Sequence, residues 1–151
     1  GKVAWVVSTF DEDIFEKWSV MKDLFSPERR AAMIDNLSTG AHGHGIWPEL
    51  LVDKKDWTVQ KNRFSALVNG SSNLEARLKE AGVDTLIIAG TLTDVCCEST
   101  ARDAMMLNFK VVMVSDANAA ACDDDHNAAL NAMARLFTDV ISTDDLIERL
   151  R

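Results

Sequence analysis

Short apolar runs rich in Val, Ile and Leu alternate along the chain with longer segments in which apolar residues recur at helical spacing. The short runs are typical of strands buried on both faces, and the longer segments are typical of amphipathic helices. We therefore predict strands at residues 2–8, 57–60, 85–89, 110–115 and 139–141. Helices are predicted at residues 27–37, 72–81, 96–107, 123–137 and 144–150, with Ser26 and Thr143 as caps of the first and the last.

This alternation predicts an α/β protein with three layers, α/β/α, built on a parallel, doubly wound, Rossmann-like sheet. Two segments lack a clear period. Residues 9–25 are rich in acids and aromatics and are predicted as a long loop with at most a short turn. Residues 40–48, where glycines flank His42 and His44, are predicted as a flexible connection that orders over a substrate.

Composition excludes several classes of function. The 151 residues suffice for one domain of ordinary size, so a single domain over residues 1–151 is predicted. The net charge of -8 and the lack of a Lys/Arg cluster argue against a nucleic-acid partner. No apolar run approaches the ~20 residues that span a bilayer. Three cysteines, two of them adjacent, make no disulfide framework, which favours a reducing, cytoplasmic compartment.

The most reactive position predicted is Cys96, because it lies where the buried strand 85–89 turns into the helix 96–107. Unpaired N–H groups and the positive end of the helix dipole favour a thiolate over a thiol in a first helical turn. Ligands of open α/β sheets also bind beyond the carboxyl ends of the strands. A nucleophilic thiolate beside an anion site is the resulting hypothesis.

The alternative for any single cysteine is packing, since cysteine is among the most buried residue types and often acts as a small hydrophobe. Cys97 and Cys122 are interpreted in this way. Only the place of Cys96 at the end of a strand distinguishes it from them.

The cysteine segment resembles the signature of the isochorismatase-like cysteine hydrolases. The residues that carry the resemblance are Gly-Thr-Leu-Thr-Asp-Val-Cys-Cys-Glu-Ser-Thr-Ala-Arg-Asp-Ala at 90–104 and Val-Val-Met-Val-Ser-Asp-Ala at 111–117. Upstream, Gln-Lys-Asn-Arg-Phe-Ser-Ala at 60–66 is similar to the segment in which that family places its catalytic lysine. The likeness extends more weakly over the rest of the chain.

The resemblance implies a set of site residues. Amide-hydrolysing members use an Asp, Lys and Cys triad, in which Cys96 matches the nucleophile and Lys61 the lysine. A non-proline cis peptide before Leu92 is implied as well, with the N–H groups of Leu92 and Cys96 as the oxyanion hole. Thr91 and Arg63 are the candidate substrate-binding residues, and Arg63 could pair with a substrate carboxylate or merely with a surface acid.

One departure from the family pattern concerns the aspartate. It belongs at the end of a first, central strand, whereas this chain begins at Gly1 in what matches the second strand. We expect a domain incomplete at its N-terminus, with unpaired strand edges where that strand is absent. Asp11 and Asp13 follow the first visible strand and are predicted to be solvated loop acids rather than substitute bases.

The favoured function is a cysteine amidohydrolase acting on a small amide or ureido compound through an acyl-enzyme, closer to ureido-type amidases such as biuret or ureidoacrylate hydrolases than to nicotinamidases. The first alternative is hydrolysis of the vinyl ether of isochorismate, against which Cys96 counts, because true isochorismatases lack this nucleophile. The second alternative is a non-catalytic homologue.

Few further ligands are predicted. We expect no cofactor and no metal ion, since His42 and His44 have no third ligand at a convincing spacing. The implied partners are a small-molecule substrate and further copies of the chain in a dimer or tetramer, with no membrane or nucleic acid. His126 is predicted to be an ordinary surface or packing residue, and Asp116 to cap or brace the site.

Overall fold

The computed structural model describes residues 1–151, which form two compact units, Gly1–Arg63 and Phe64–Arg151. All strand pairs in both units are parallel. The predicted α/β class with parallel strands and helices is thus confirmed. The five strands hydrogen-bond as a two-stranded and a three-stranded sheet.

In the first unit, strand β1 (Ala4–Ser8) pairs with β2 (Trp57–Lys61), in a register that runs from Ala4 opposite Trp57 to Ser8 opposite Lys61. Helix α1 (Glu12–Lys17), a π-helical turn (Val20–Leu24), helix α2 (Pro27–Leu37) and a 3-10 turn (His42–His44) lie between these strands in the sequence. Both strands therefore end together, with Ser8 and Lys61 side by side.

The prediction of a long loop over residues 9–25 is wrong. Helix α1 forms there because it buries Ile14 and Phe15 on one side, while Lys17 and Asp13 form an ion pair of 2.7 Å on the other. That ammonium lowers the pKa of the Asp13 carboxyl, chiefly by donating a hydrogen bond to it. Asp13 therefore lies in a helix and not in a loop. Asp11 also differs from the predicted solvated loop acid, since its Oδ1 accepts a hydrogen bond of 3.0 Å from the Thr39 amide.

Helix α2 follows the prediction closely. The Ser26 hydroxyl accepts a hydrogen bond from the Arg29 amide, and Pro27 is the first helical residue. Serine at the cap satisfies an N–H group that the helix cannot, and proline at the first position removes another. The predicted start and end of this helix are confirmed.

In the second unit the strands lie in the order β3-β4-β5. Its elements are α3 (Leu74–Glu80), β3 (Thr85–Thr91), a π-helical turn (Thr93–Cys97), α4 (Glu98–Met106), β4 (Lys110–Ala119), α5 (Asp123–Leu136), β5 (Asp139–Ile141) and α6 (Thr143–Arg149). Fully buried side chains of α4, β4 and α5 form the centre of this unit's core: Ala101, Ala104, Met113 and Met133.

Two details of the second unit differ from expectation or extend it. Strand β3 pairs only with β4 and leaves Ile87 46% exposed, so its other edge carries no strand. Helix α6 is capped by Ser142, whose hydroxyl accepts from the Asp145 amide, and not by Thr143 as predicted. No helix in the structure combines the length and the apolar character required to cross a membrane.

Candidate active site

The nucleophile predicted from sequence lies in the turn that connects β3 to α4. The peptide bond between Thr91 and Leu92 is cis, as the resemblance implies. The Leu92 carbonyl then accepts hydrogen bonds from the amides of Val95 (3.2 Å) and Cys97 (3.1 Å), which closes the turn Thr93–Cys97. The amides on both sides of Cys96 are therefore directed at Leu92.

The predicted position of Cys96 in the first turn of an α-helix needs correction. The α-helix begins at Glu98, and Cys96 lies in the wider π-helical turn before it. The helical path is nevertheless continuous, because Cys97 and Glu98 both have right-handed helical backbone angles and the Glu98 amide donates to the Thr93 carbonyl. Cys96 thus keeps its place at the carboxyl end of β3 and at the amino end of a helical segment.

The three cysteines differ in exposure, and none forms a disulfide. Cys97 is buried, as predicted for a packing residue. Cys122 is exposed, with its Sγ 3.2 Å from Asp125 Oδ2, so the packing interpretation is wrong for it. Its place as the residue before α5 holds it at the surface. Cys96 is half-buried, which leaves part of its side chain accessible.

Strand β4 supports this turn through Asn118. Ile88 lies opposite Met113, but the next paired residue, Gly90, lies opposite Asn118, so β4 makes an excursion between these two pairs. The Asn118 amide group spans the excursion, donating to the carbonyls of Ile88 (3.0 Å) and Val114 (2.7 Å). Gly90 has a φ of +129°, which favours glycine over other residues. The end of β3 is thereby fixed just before the cysteine turn.

Helix α5 supports the turn from a second direction. Thr93, the first residue of the turn, is fully buried, and a 2.8 Å hydrogen bond joins its Oγ1 to Nδ1 of His126. His126 was predicted to be an ordinary surface or packing residue, and this specific bond corrects that interpretation. The spacing of 33 residues between the two gives no local signal in the sequence.

In the first unit, Lys61 is the last residue of β2 and is only 5% exposed. Its Nζ donates to Ser8 Oγ (2.9 Å) and to the Arg63 carbonyl (3.0 Å). A buried ammonium must be hydrogen-bonded to offset its lost hydration. The parallel register supplies one of these acceptors, because it places Ser8 opposite Lys61. Ser8 is a site residue that sequence reasoning missed.

Arg63 follows the same strand and is held by an aromatic side chain. Its guanidinium lies 4.9 Å from the centre of the Trp18 ring, and Nη1 donates to the carbonyl (2.7 Å) and the side-chain oxygen (3.3 Å) of Asn62. Stacking fixes the plane of a guanidinium while leaving its charge intact. Phe10 packs edge-on against Trp18, at 6.3 Å between ring centres, and continues this cluster into the core.

The 3-10 turn His42–His44 is hydrogen-bonded to the residue that follows β1. Nε2 of His44 forms a 2.8 Å hydrogen bond with Oγ1 of Thr9, and the Thr9 amide donates to the Lys61 carbonyl. No group of three or more His, Cys, Asp or Glu side chains is arranged to hold a metal ion. Asp116 accepts hydrogen bonds from the amide and the hydroxyl of Thr143, both at 2.8 Å, and so binds the first residue of α6.

The structure thus groups the predicted residues by unit. Thr91, Leu92 and Cys96 are consecutive parts of one turn in the second unit, and Lys61 and Arg63 belong to the end of β2 in the first. The pairing of Lys61 with Cys96 stays a prediction, as do the oxyanion and substrate-binding roles.

Comparison with known proteins gives a consistent family. Residues 2–145 match the family model described as the isochorismatase domain. A cysteine hydrolase from Pseudomonas syringae pv. phaseolicola has the same fold, with a TM-score of 0.86 and 28% identity, over 99% of this chain and 71% of that one.

Two curated relatives represent different activities. Nicotinamidase 3 of Arabidopsis thaliana is 35% identical over 91 residues, which cover 60% of this chain and 45% of the relative. The isochorismatase of Bacillus subtilis is 31% identical over 130 residues, which cover 83% of this chain and 41% of the relative. The chain spans about half the length, or less, of these curated relatives.

Proposed function

The chain belongs to the isochorismatase family, and we propose that this hydrolase uses Cys96 to cleave an amide or ureido C–N bond in a small molecule. The observation that carries the proposal is the placement of a half-buried cysteine in a helical turn at the carboxyl end of β3. Ligands bind at such strand ends in open α/β sheets, and thiolates are favoured at the amino ends of helical segments.

In the proposed reaction the Cys96 thiolate attacks the carbonyl carbon, and the carbonyl π electrons move to oxygen. The N–H groups of Leu92 and Cys96 receive this oxyanion. As the carbonyl re-forms, the C–N bond breaks and the nitrogen leaves with the proton that the thiol gave up. Water then attacks the thioester, releasing the acid and regenerating Cys96. The resemblance assigns the proton transfer to an aspartate, and no residue of this chain is assigned that role.

Lys61 is proposed to stabilise the anionic sulfur. Its ammonium is buried and held by Ser8 and the Arg63 carbonyl, so its position is defined before any substrate binds. A fixed charge in a site of low dielectric costs no reorganisation during the reaction.

Arg63 is proposed to bind an anionic or carbonyl group of the substrate, with Thr91 beside the reacting carbonyl. The contacts of Arg63 with Trp18 and Asn62 fix the guanidinium plane and engage Nη1. A planar guanidinium can donate two parallel hydrogen bonds to a carboxylate. This favours ureido acids over uncharged amides, in line with the ureido-type resemblance of the cysteine segment.

Hydrolysis of the vinyl ether of isochorismate is the second candidate, because the Bacillus subtilis isochorismatase covers more of this chain than the nicotinamidase does. The cysteine favours the amidase, since protonation of a vinyl ether needs no nucleophilic sulfur. We further propose a cytoplasmic location, because three cysteines that form no disulfide are typical of a reducing compartment. Assembly into a homo-oligomer is proposed from the resemblance alone, and light scattering tests it.

The experiment compares ammonia release from biuret, ureidoacrylate and nicotinamide by the parent protein and by Cys96→Ala. Loss of the nucleophile is expected to lower the rate by at least about 10³-fold. Cys97→Ala is the matched control, because it removes the neighbouring buried sulfur, and it should retain the rate within about threefold. Mass spectrometry of the quenched reaction should detect the acyl group on the peptide containing Cys96.

A second variant tests the lysine. Lys61→Met keeps most of the length of the side chain and removes its charge, so alkylation of Cys96 by iodoacetamide near neutral pH should slow by about tenfold or more. Alkylation at the parental rate at every pH would remove Lys61 from the proposal. Consumption of isochorismate by Cys96→Ala would establish the vinyl-ether activity instead, and a parent protein inactive on every compound would favour the non-catalytic homologue.

A further inference from the structure

We propose that the hydrogen bond between Thr93 and His126 positions the turn that carries Leu92 and Cys96, which makes His126 a positioning residue for the thiol. The catalytic consequence of this inference rests on the proposed function. The physical part, control of Cys96 reactivity from helix α5, does not require a substrate.

The geometry of the pair is well defined. The Thr93 side chain is completely buried, and its Oγ1 lies 2.8 Å from Nδ1 of His126. His126 lies in the first turns of α5, where its amide donates to the Cys122 carbonyl. Ala129 and Met133, three and seven residues further on, are buried and lie on the same helical face. The imidazole is thus attached to a packed face of a 14-residue helix.

Thr93 is well placed to transmit this constraint. It directly follows Leu92, whose carbonyl accepts from the amides of Val95 and Cys97. Its own carbonyl accepts from the Glu98 amide, which starts α4. A shift of Thr93 therefore moves the backbone on both sides of Cys96. Misplacement of reacting groups by about 1 Å can cost about 10²-fold in rate.

A purely structural role is the competing explanation, because a buried hydroxyl needs a hydrogen-bonding partner wherever it lies. Conservative variants separate the two. Thr93→Val has nearly the shape of threonine without the hydroxyl, and His126→Leu removes the ring nitrogen. Thr93→Ser keeps the hydroxyl, and His126→Asn keeps a polar atom near the position of Nδ1.

The measurement follows alkylation of Cys96 by iodoacetamide, with Cys122 as a reporter in the same sample. Cys122 is exposed and precedes α5, so its rate changes if the end of that helix frays. In parallel, kcat and KM are measured on whichever of biuret, ureidoacrylate and nicotinamide the parent protein hydrolyses. Thr143→Val is the matched control, because it deletes a hydroxyl that is 2.8 Å from Asp116 at another place in the unit.

Thr93→Val and His126→Leu should each change Cys96 alkylation by about fivefold or more and lower kcat by about 10- to 100-fold, with KM changed by less than about threefold. The Ser and Asn variants should recover most of both losses. The double variant Thr93→Val with His126→Leu should be no worse than either single variant, because both remove the same bond. Cys122 alkylation should stay constant throughout.

Three results would overturn the inference. The first is a Thr93→Val variant whose Cys96 alkylation rate and kcat equal those of the parent. The second is a change in the Cys122 alkylation rate equal to the change at Cys96. The third is a His126→Asn variant whose alkylation rate and kcat are no closer to the parental values than those of His126→Leu. Should the parent protein hydrolyse no compound, the proposed function fails, while the alkylation rates of Cys96 and Cys122 still decide the role of the pair.

Discussion

Replacing Asn118 by aspartate tests whether the β4 excursion depends on a single side-chain amide. Asn118 is 8% exposed, and its Nδ2 donates to two backbone carbonyls, of Ile88 at 3.0 Å and of Val114 at 2.7 Å. Its Oδ1 is buried and accepts no hydrogen bond. Asn118→Asp keeps the shape but substitutes an acceptor for the donor, so an anionic oxygen would face two carbonyl oxygens.

The expected cost follows from these contacts. Loss of two hydrogen bonds removes about 2 kcal/mol, at about 1 kcal/mol for each bond. An uncompensated buried charge adds about 3 kcal/mol, and the sum approaches the total stability of many small domains. Asn118→Leu also loses both bonds, but it removes the unsatisfied Oδ1 and introduces no charge. We expect it to cost only about 1 kcal/mol.

Urea unfolding at pH 7 and pH 5 separates these contributions. Burial without a donor raises the pKa of the introduced carboxyl above its unfolded value of about 3.9. The neutral form therefore favours folding at low pH, and stability falls as pH rises through the folded pKa. The aspartate variant should lose about 2.5 M in urea midpoint at pH 7, for a slope of about 2 kcal/mol/M, and recover part of this at pH 5. Equal midpoints for the Asp and Leu variants at both pH values would refute the reasoning.

Two helix ends provide simpler predictions. Ser26→Ala should lower the free energy of unfolding by about 1 kcal/mol, or Tm by about 3 °C, because Ser26 Oγ caps α2 by accepting from the Arg29 amide. Ser26→Asp should retain the cap. Equal decreases of Tm in the Ala and Asp variants would contradict this role. Hydrogen bonds from the hydroxyl and then from the amide of Thr143 lower the pKa of the Asp116 carboxyl. This contact therefore stabilises the folded protein at pH values above the carboxyl's pKa in the unfolded chain, which is about 4. The stabilisation is lost as the pH falls below that value. The stability difference between the parent and Asp116→Asn should therefore shrink from pH 7 to pH 3 in urea titrations, and a constant difference would exclude the contact as its source.

The sequence predicts those elements whose signal is contained in a single segment. Strand β5 has the predicted limits, because the β-branched Val140 and Ile141 lie between the polar residues Asp139 and Ser142. Helix α2 likewise has its cap and its proline in adjacent positions. Helix α1 is missed because six residues make less than two turns, and only Ile14 and Phe15 are buried. No period of apolar residues can be read over that length.

The residues of the candidate site also differ in whether their signal is contained in a single segment of the sequence. Cys96 is predicted because it lies just beyond the end of an apolar strand, and Lys61 and Leu92 are predicted because the segments around them resemble those of the family. Ser8, Asn118 and His126 are missed because their contacts depend on which strand or helix packs beside them. Ser8 lies 53 residues from the lysine that it binds, and Asn118 lies 30 residues from Ile88. Such pairs follow from register and packing, which a single sequence does not specify.

The missed residues share one physical function. Each forms a hydrogen bond with a polar group of a neighbouring element. Parallel strands end with carbonyl and amide groups that no further ladder pairs, so side chains from neighbouring elements must supply the remaining hydrogen bonds. Asn118 donates to the Ile88 carbonyl at the register shift within β3, and Ser8 accepts from the Lys61 ammonium at the end of β2. His126 extends the same principle to a side-chain hydroxyl. A reactive group at a strand end is therefore only as well positioned as these supporting bonds, which is why we expect substitutions at His126 and Thr93 to alter Cys96 without touching it.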